Sequence, residues 1–376
     1  MGILDRDIRQ ETGTAASFLT VDLSALVENY RLLAGRAGTA ACAAVVKADA
    51  YGLGAGRVAP ALAAAGCGHF FVAQVGEGVA LRAILGGGPV IGVLNGTTPG
   101  SEGACAACDL VPVLNDRAQL RAWRDLASRL GRRLPAILQV DSGMARFGFD
   151  PAELSALLDA ADAFGGLSLR LVMSHLACAD TPDHPANAAQ WAAFAAVRAR
   201  LPQVPASLAA SSGIFLGPGF HFDMVRPGAA LYGIAPQAGL PNPLRPVVGL
   251  RARVMQLRAV PAGRAVGYGH AAVLARDSRL ATVAVGYADG FPRSAGAGAG
   301  AAWCAGHRLP VVGRVSMDSL VLDATDLPAG AIGPGSLVDL LGPDQDIDAL
   351  AASAGTIGYE VLTRLGHRFH RSYLGA

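Results

Sequence analysis

Aromatic residues make up only 6% of the 376 residues, and opposite charges nearly cancel, with 31 Lys and Arg against 29 Asp and Glu. The formal charge of +2 gives no electrostatic reason to expect nucleic acid or an anionic membrane as the main partner. Long apolar runs are missing too. Hydrophobic residues reach 52% and mean hydropathy is +0.37, but alanine and glycine carry that value, and no stretch supplies the roughly 18 strongly apolar residues that a bilayer span needs. The N-terminus, MGILDRDIRQETGT, is charged and polar, without the apolar segment of a secretory signal. Its Met-Gly start carries Arg6 where a myristoylation signal has Ser or Thr. A soluble cytoplasmic protein is the expectation. Cysteine is sparse, at 42, 67, 105, 108, 178 and 304. Cys105 and Cys108 form a single C-x-x-C with no second pair or histidine pair nearby to complete a zinc or redox site. With Ala104, Ala106 and Ala107 between and beside them, they read as a small-residue helix face. All six are expected to be reduced, and no metal is expected.

The length allows two domains or one large barrel with an addition. From about 41 to 233 short apolar strands alternate with amphipathic helices. The strand candidates are Ala41–Lys47, His69–Ala73, Pro89–Leu94, Leu110–Leu114, Pro135–Val140, Leu167–Ser174, Pro205–Ala210 and Ala229–Gly233. Helices are expected over Asp116–Leu130 and Pro151–Phe164, the second with Asp150 as N-cap, Pro151 at the first position and Glu153 in the capping-box position. Eight strands with helical crossovers fit a (β/α)8 TIM-like barrel better than a doubly wound sheet. Beyond about 245 the pattern becomes β-rich, with strand candidates Leu250–Val260, Arg279–Val285, Leu309–Val315 and Ser336–Leu341 and two short helices, Ile347–Ala354 and Tyr359–Leu365. The tract SAGAGAGAA (294–302) reads as a flexible loop. The expected division is an N-terminal extension over 1–17, a barrel over 18–245 and a β-rich C-terminal domain over 246–376.

Lys47 is the most informative residue. It closes the apolar run Ala44, Val45, Val46, where a charged amine is costly to keep. Such a lysine either snorkels to water or is consumed covalently by the aldehyde of a cofactor. Gly52, Gly54 and Gly56 after it give G-x-G-x-G, one residue short of the dinucleotide-binding spacing. Ser211, Ser212 and Gly213 follow a strand and open an apolar stretch, a combination that offers a hydroxyl and amides to a phosphate. Gly228 lets the backbone approach closely, and Tyr51 and Tyr359 can each donate a phenolic hydrogen bond. Arg226 has an ordinary reading as an ion pair with Asp223, and His175 as a capping or core residue.

The string AVVKADAYGLG (44–54) resembles the cofactor-lysine motif of the alanine racemases, pyridoxal-phosphate enzymes built on a (β/α)8 barrel, and the resemblance runs over nearly the whole chain. It implies a homodimeric racemase that interconverts L- and D-alanine, supplying D-alanine for peptidoglycan or degrading it. It assigns Ser211, Gly228, Tyr51 and Tyr359 to the cofactor phosphate. Arg226, in DMVRPGAALYG (223–233), is placed against the pyridine nitrogen. A guanidinium does not readily release its proton, so that nitrogen stays largely unprotonated. Racemisation needs one base on each face of the reacting carbon. Lys47 serves one, and Tyr268 in AVGYGH (265–270) matches the other; an unperturbed phenol costs about 4 kcal/mol to ionise at pH 7. His175, in MSHLACAD (173–180), matches the histidine between that tyrosine and the arginine. Arg146, in QVDSGMARFGF (139–149), matches the arginine near the cofactor oxygen and the substrate carboxylate. Met317 and Asp318, in VGRVSMDS (312–319), match the pair whose backbone holds that carboxylate, and Tyr287, in VGYADGFPR (285–293), a tyrosine at the pocket mouth. The resemblance places Tyr268, Tyr287, Met317 and Asp318 in the partner subunit's site, and a strand near Phe18–Leu23 in the C-terminal domain.

Two positions depart from the family pattern. Gln139 stands where many members carry a carbamylated lysine, and Ala210 where an asparagine is common. Neither removes a base. The rivals are a serine or broad-specificity racemase, separated by only about 1–3 kcal/mol of discrimination, a decarboxylase, which needs an acid where Arg226 stands, and a non-catalytic cofactor-carrying barrel, which lacks the C-terminal domain.

Overall fold

The computed structural model describes residues 14–160 and 162–375. Most of the expected N-terminal extension therefore lies outside the described residues. The chain divides into two compact units, one of Leu26–Arg245 and the other built from the segments on either side of it.

The first unit holds seven parallel strands in sequence order: Ala44–Val45, His69–Val72, Val90–Val93, Leu110–Leu114, Leu134–Gln139, Leu167–Met173 and Ala206–Ser207. An eighth strand, Met224–Val225, pairs in parallel with Ala41–Cys42. On its other side Asp223 N donates to Ala206 O and Arg226 N to Ala209 O, each at 2.9 Å. These bonds close the ring into an eight-stranded barrel. The strands read as continuous apolar runs because both of their faces are covered, as Phe70, Ile91, Val113 and Leu138 show by their complete burial. The eighth strand is not the segment the hydrophobic pattern suggests. Ala229–Tyr232 is a 3-10 turn; its apolar side chains are buried as those of a strand would be, so the pattern alone does not separate the two. In the G-x-G-x-G segment, whose spacing already falls one residue short of the dinucleotide motif, Gly52 and Gly54 lie at φ 83° and 94° between two helical segments.

Around the ring, the helix Arg117–Leu130 begins at Asp116, whose carboxylate accepts from Gln119 N at 2.8 Å. It buries Trp123 completely, with the indole N–H donating to Pro135 O at 3.0 Å. The next helix, Pro151–Asp159, is shorter than its periodicity suggests. Asp150 caps it twice, at Ala152 N and Glu153 N, both 2.9 Å. Glu153 does not complete a capping box, because its carboxylate pairs with Arg117 Nε at 2.8 Å.

In the second unit the strand Val248–Val260 is the hub. It pairs antiparallel with Ser17–Asp22, Leu337–Leu341 and Ser278–Val283, with register shifts at Leu250/Arg251 and Val254/Gln256 that bend it from one neighbour to the next. Ser17–Asp22 pairs in parallel with His370–Leu374 on its other edge. Ala301–Cys304, His307–Pro310 and Leu320–Asp323 complete an eight-stranded sheet. The tract 294–302 is not a flexible loop. Ala295, Ala301 and Ala302 are buried, and Ala297 N and Gly298 N donate to Gly313 O and Val311 O at 2.6 and 2.8 Å. A Cβ at Gly300 would sit 2.5 Å from Ala295 O. Small residues here let two stretches of backbone touch.

All six cysteines are free thiols. Among the described residues no helix is long and apolar enough to cross a membrane.

Trp123→Ala removes a fully buried indole and leaves the Pro135 carbonyl without its donor. It should lower unfolding free energy by about 3–5 kcal/mol, read as a drop in the urea midpoint.

Candidate active site

The barrel strands place their following residues on one face. Lys47 follows the first strand of the ring, Gln139 ends the fifth, Ser174 and His175 follow the sixth, Ser211 lies beyond the seventh and Arg226 follows the eighth. The C-terminal ends of parallel barrel strands are where loop side chains converge.

Lys47 is half-buried and opens an unusual turn. Ala48, Asp49, Ala50 and Tyr51 all adopt left-handed backbone, with φ of 53°, 53°, 54° and 57°. For L-residues that conformation costs about 1–2 kcal/mol each, and such strain persists only where surrounding bonds impose it. Ala50 N donates to Val46 O at 2.9 Å and Gly52 N to Ala48 O at 2.7 Å. Asp49 accepts from Ala55 N at 2.7 Å, and Glu77 from Ala48 N at 2.6 Å. Burial, and then the charge of Arg146, push the Lys47 amine below its ordinary pKa, while Glu77 opposes them.

Arg226 is buried to 2% exposure. The ion pair with Asp223 does not form; Asp223 instead accepts from Ala206 N at 2.7 Å and faces Arg198 at 3.9 Å. The Arg226 guanidinium donates to Ser207 Oγ and to Ser174 O, the latter at 2.6 Å. Both acceptors are neutral, and burial pulls the group down to about 9. His175 is pushed down to about 3 by burial and by the positive charges of Arg226, Arg146 and Lys47, in that order. It is therefore neutral near pH 7. Arg146 is exposed and follows a loop shaped by Asp141, whose carboxylate accepts from the N–H groups of Gly143, Met144 and Ala145.

Ser211, Gly228 and Tyr51 come together. Ser211 Oγ accepts from Gly228 N at 3.0 Å and Ala230 N at 3.1 Å. A side chain at Gly228 would collide with the Tyr51 hydroxyl. Tyr51 stacks on Tyr232 at 4.7 Å between ring centroids, and Tyr232 donates to Val45 O at 3.2 Å. Three cations around a neutral histidine, beside hydroxyls and a tight glycine, suit a ligand carrying a phosphate and other anionic oxygens.

In the other unit, Tyr268 is 71% exposed on a 3-10 turn, flanked by Gly267 at φ 75° and Gly269 at φ 66°. A Cβ at Gly267 would lie 3.4 Å from Arg314 N, so this turn packs on the segment leading to Met317. Tyr287 and Met317–Asp318 are stitched together. Tyr287 N donates to Ser316 O at 3.1 Å and Ala288 N to Met317 O at 3.0 Å. Arg368 joins the two loops, bonding Asp318 at 2.6 Å and the buried Asp289 at 3.0 Å. The N–H groups of Met317 and Asp318 have no acceptor among the described residues. Tyr359 lies on the helix Gly358–Arg364, part-exposed.

Reading the sequence missed Glu77, Asp141, Ser174, Ser207, Tyr232, Asp289 and Arg368. Ser174 and Ser207 carried a signal, since each is a hydroxyl at the end of an otherwise apolar strand. Glu77, Asp141 and Arg368 carried none, because their partners are backbone groups or residues distant in sequence.

Comparison with known proteins fits this arrangement. Residues 21–236 match the model for the alanine racemase N-terminal domain, and residues 247–373 that for the alanine racemase C-terminal domain. The catabolic alanine racemase of Mesorhizobium japonicum is 55% identical over 361 residues, covering 96% of this chain and 94% of that protein. The alanine racemase of Rhodospirillum rubrum is 51% identical over 362 residues, 96% of each chain. The crystal structure of alanine racemase from Bartonella henselae with covalently bound pyridoxal phosphate superposes with a TM-score of 0.92 at 43% identity, over 96% of this chain and all of that one. The chain belongs to the alanine racemase family.

Proposed function

We propose that this protein is a pyridoxal-phosphate enzyme that interconverts L- and D-alanine, with Lys47 and Tyr268 as opposed bases. The observation that carries the reading is the half-buried Lys47 amine, lowered in pKa, at a barrel strand end among Arg146, Arg226 and His175.

The residues fit the cofactor. Ser211, Gly228 and Tyr51 gather where a phosphate would be held, with Tyr359 as a further donor, and Lys47 would hold the aldehyde carbon. Arg226 would face the ring nitrogen and, as a cation anchored on Ser207 and Ser174, would keep it unprotonated. When bound, the cofactor supplies an electron sink that acidifies the proton on the α-carbon of the amino acid.

The chain's own groups then handle the proton. Once substrate takes its place, Lys47 is a free amine, and its lowered pKa favours the neutral form able to accept a proton on one face. Tyr268 serves the opposite face. His175, held neutral by burial and the surrounding cations, would be free to partner that phenol without bringing a charge into the site. Arg146 and the N–H groups of Met317 and Asp318 would hold the substrate carboxylate, with Tyr287 beside them. Gln139, buried and uncharged, would leave the charge of Arg146 unneutralised.

The exposure of Tyr268, Tyr287 and Met317 supports a homodimer in which those residues complete the partner's site. The cytoplasm is the proposed compartment. Arg226 in place of an acid argues against decarboxylation.

Three outcomes check this reading. Borohydride treatment followed by peptide mapping should tag Lys47, and Lys47→Ala should lose both the tag and the visible chromophore. Tyr268→Phe should retain the chromophore but slow racemisation in both directions by about 10²–10⁴-fold, followed in heavy water as optical rotation and α-proton loss together. The third concerns stability. His175 titrates near 3 when folded and about 6.5 when unfolded, so between those values the unfolded chain binds more protons. Its contribution to stability is complete above 6.5 and is lost as pH falls towards 3. The urea midpoint of cofactor-free His175→Gln should therefore fall less than that of the parent between pH 7 and 4.

A further inference from the structure

Four consecutive non-glycine residues in left-handed backbone directly after Lys47 need an external hold, and the bonds converging on that turn name it. Glu77, at the start of the helix Val75–Leu85, is half-buried and spreads its carboxylate over three backbone donors. Oε1 accepts from Ala48 N at 2.6 Å, and Oε2 from Ala73 N at 2.7 Å and Gln74 N at 3.0 Å. Ala48 is the first residue of the left-handed run and the immediate neighbour of Lys47. Ala73 directly follows the second strand of the ring, next to the one that delivers Lys47. One side chain thus ties the turn after Lys47 to the neighbouring barrel strand.

We propose that Glu77 is a positioning residue: its carboxylate clamps the left-handed turn after Lys47 to the adjacent barrel strand, and so fixes the direction from which the Lys47 amine reaches cofactor and substrate. The proposal deepens the reading of Lys47 as the cofactor lysine and rests on it.

The geometry explains why an acid is needed. Three N–H donors require acceptor oxygens on both arms of the head group, which a carboxylate has. Glutamine would present an NH2 to at least one donor. Aspartate would fall short by a methylene. Asp49 braces the same turn at Ala55 N, 2.7 Å away, while Glu77 takes the Ala48 N–H.

The two roles that a buried acid can play here are separable, because glycine accepts φ > 0 without strain. If Glu77 acts by holding backbone, Ala48→Gly should relieve its loss; if it acts only as a charge or as part of a folding core, it should not. Cofactor-free protein is mixed with pyridoxal phosphate, and the return of the visible chromophore is timed for the parent, E77Q, A48G and E77Q/A48G, with kcat and KM for alanine measured after loading. E77Q is expected to load about tenfold or more slowly and to lose kcat in similar proportion while KM stays within about twofold. A48G should behave like the parent, and E77Q/A48G should recover most of the loss. E77Q loading at the parental rate would overturn the proposal, as would a folded double variant no faster than E77Q. Should E77Q not fold, amide exchange in the parent decides: the Ala48 N–H is expected to exchange about tenfold or more slowly than an open chain, and unprotected exchange there would overturn the clamp. Borohydride mapping of the parent separates the two layers. A tag away from Lys47 sinks the cofactor assignment, whereas a tag on Lys47 with unchanged E77Q sinks the clamp alone.

Discussion

Positive charge held against burial is the constraint on which the rest of the site depends. Lys47, Arg146 and Arg226 all act on His175, and the cation with the least exposure, Arg226, rests on a hydroxyl and a carbonyl with no carboxylate. Taking a guanidinium out of water without an opposite charge is expensive. The protein lowers that cost by spreading neutral acceptors around it, and an anionic ligand removes the remainder. The same field keeps His175 neutral and makes the Lys47 amine easier to deprotonate. Affinity for an anionic cofactor and reactivity of the amine are thus two results of one electrostatic arrangement.

Backbone geometry turns that field into a defined site. Glu77 and Asp49 hold the turn after Lys47, Asp141 folds the loop before Arg146, and Ser211 gathers the N–H groups of Gly228 and Ala230. In the other unit Asp289 and Arg368 do the same for the loops of Tyr287 and Met317–Asp318. In each case a polar side chain that touches no reacting atom fixes the backbone beside one that would. Glycines complete the scheme where no side chain fits, as at Gly228 against Tyr51.

Much of this was legible from the sequence, and what was not has a common cause. Strands covered on both faces announce themselves as apolar runs, which is why seven of the eight barrel strands read correctly. The eighth did not, because the buried turn at Ala229–Tyr232 presents a longer apolar run than Met224–Val225 and looks more strand-like. Lys47 stood out because a charged amine closes an apolar run, whereas Arg146, His175 and Arg226 were picked out only by the resemblance of their motif strings to the alanine racemases. Glu77 and Arg368 had nothing unusual about them locally. Their meaning comes from contacts made across 29 and 50 positions, and one-dimensional periodicity holds no record of those.

The stretch SAGAGAGAA draws out a last consequence. Its letters suggest a place to splice a tag, nick the chain or let substitutions drift. Yet Gly300 has the Ala295 carbonyl against it and Ala297 and Gly298 are bonded to the chain opposite, so the plainest part of the sequence works as a gasket that a single extra methyl would lift. A protein engineer looking for a permissive point would do better at Gly87, where an added carbon meets nothing within 4 Å.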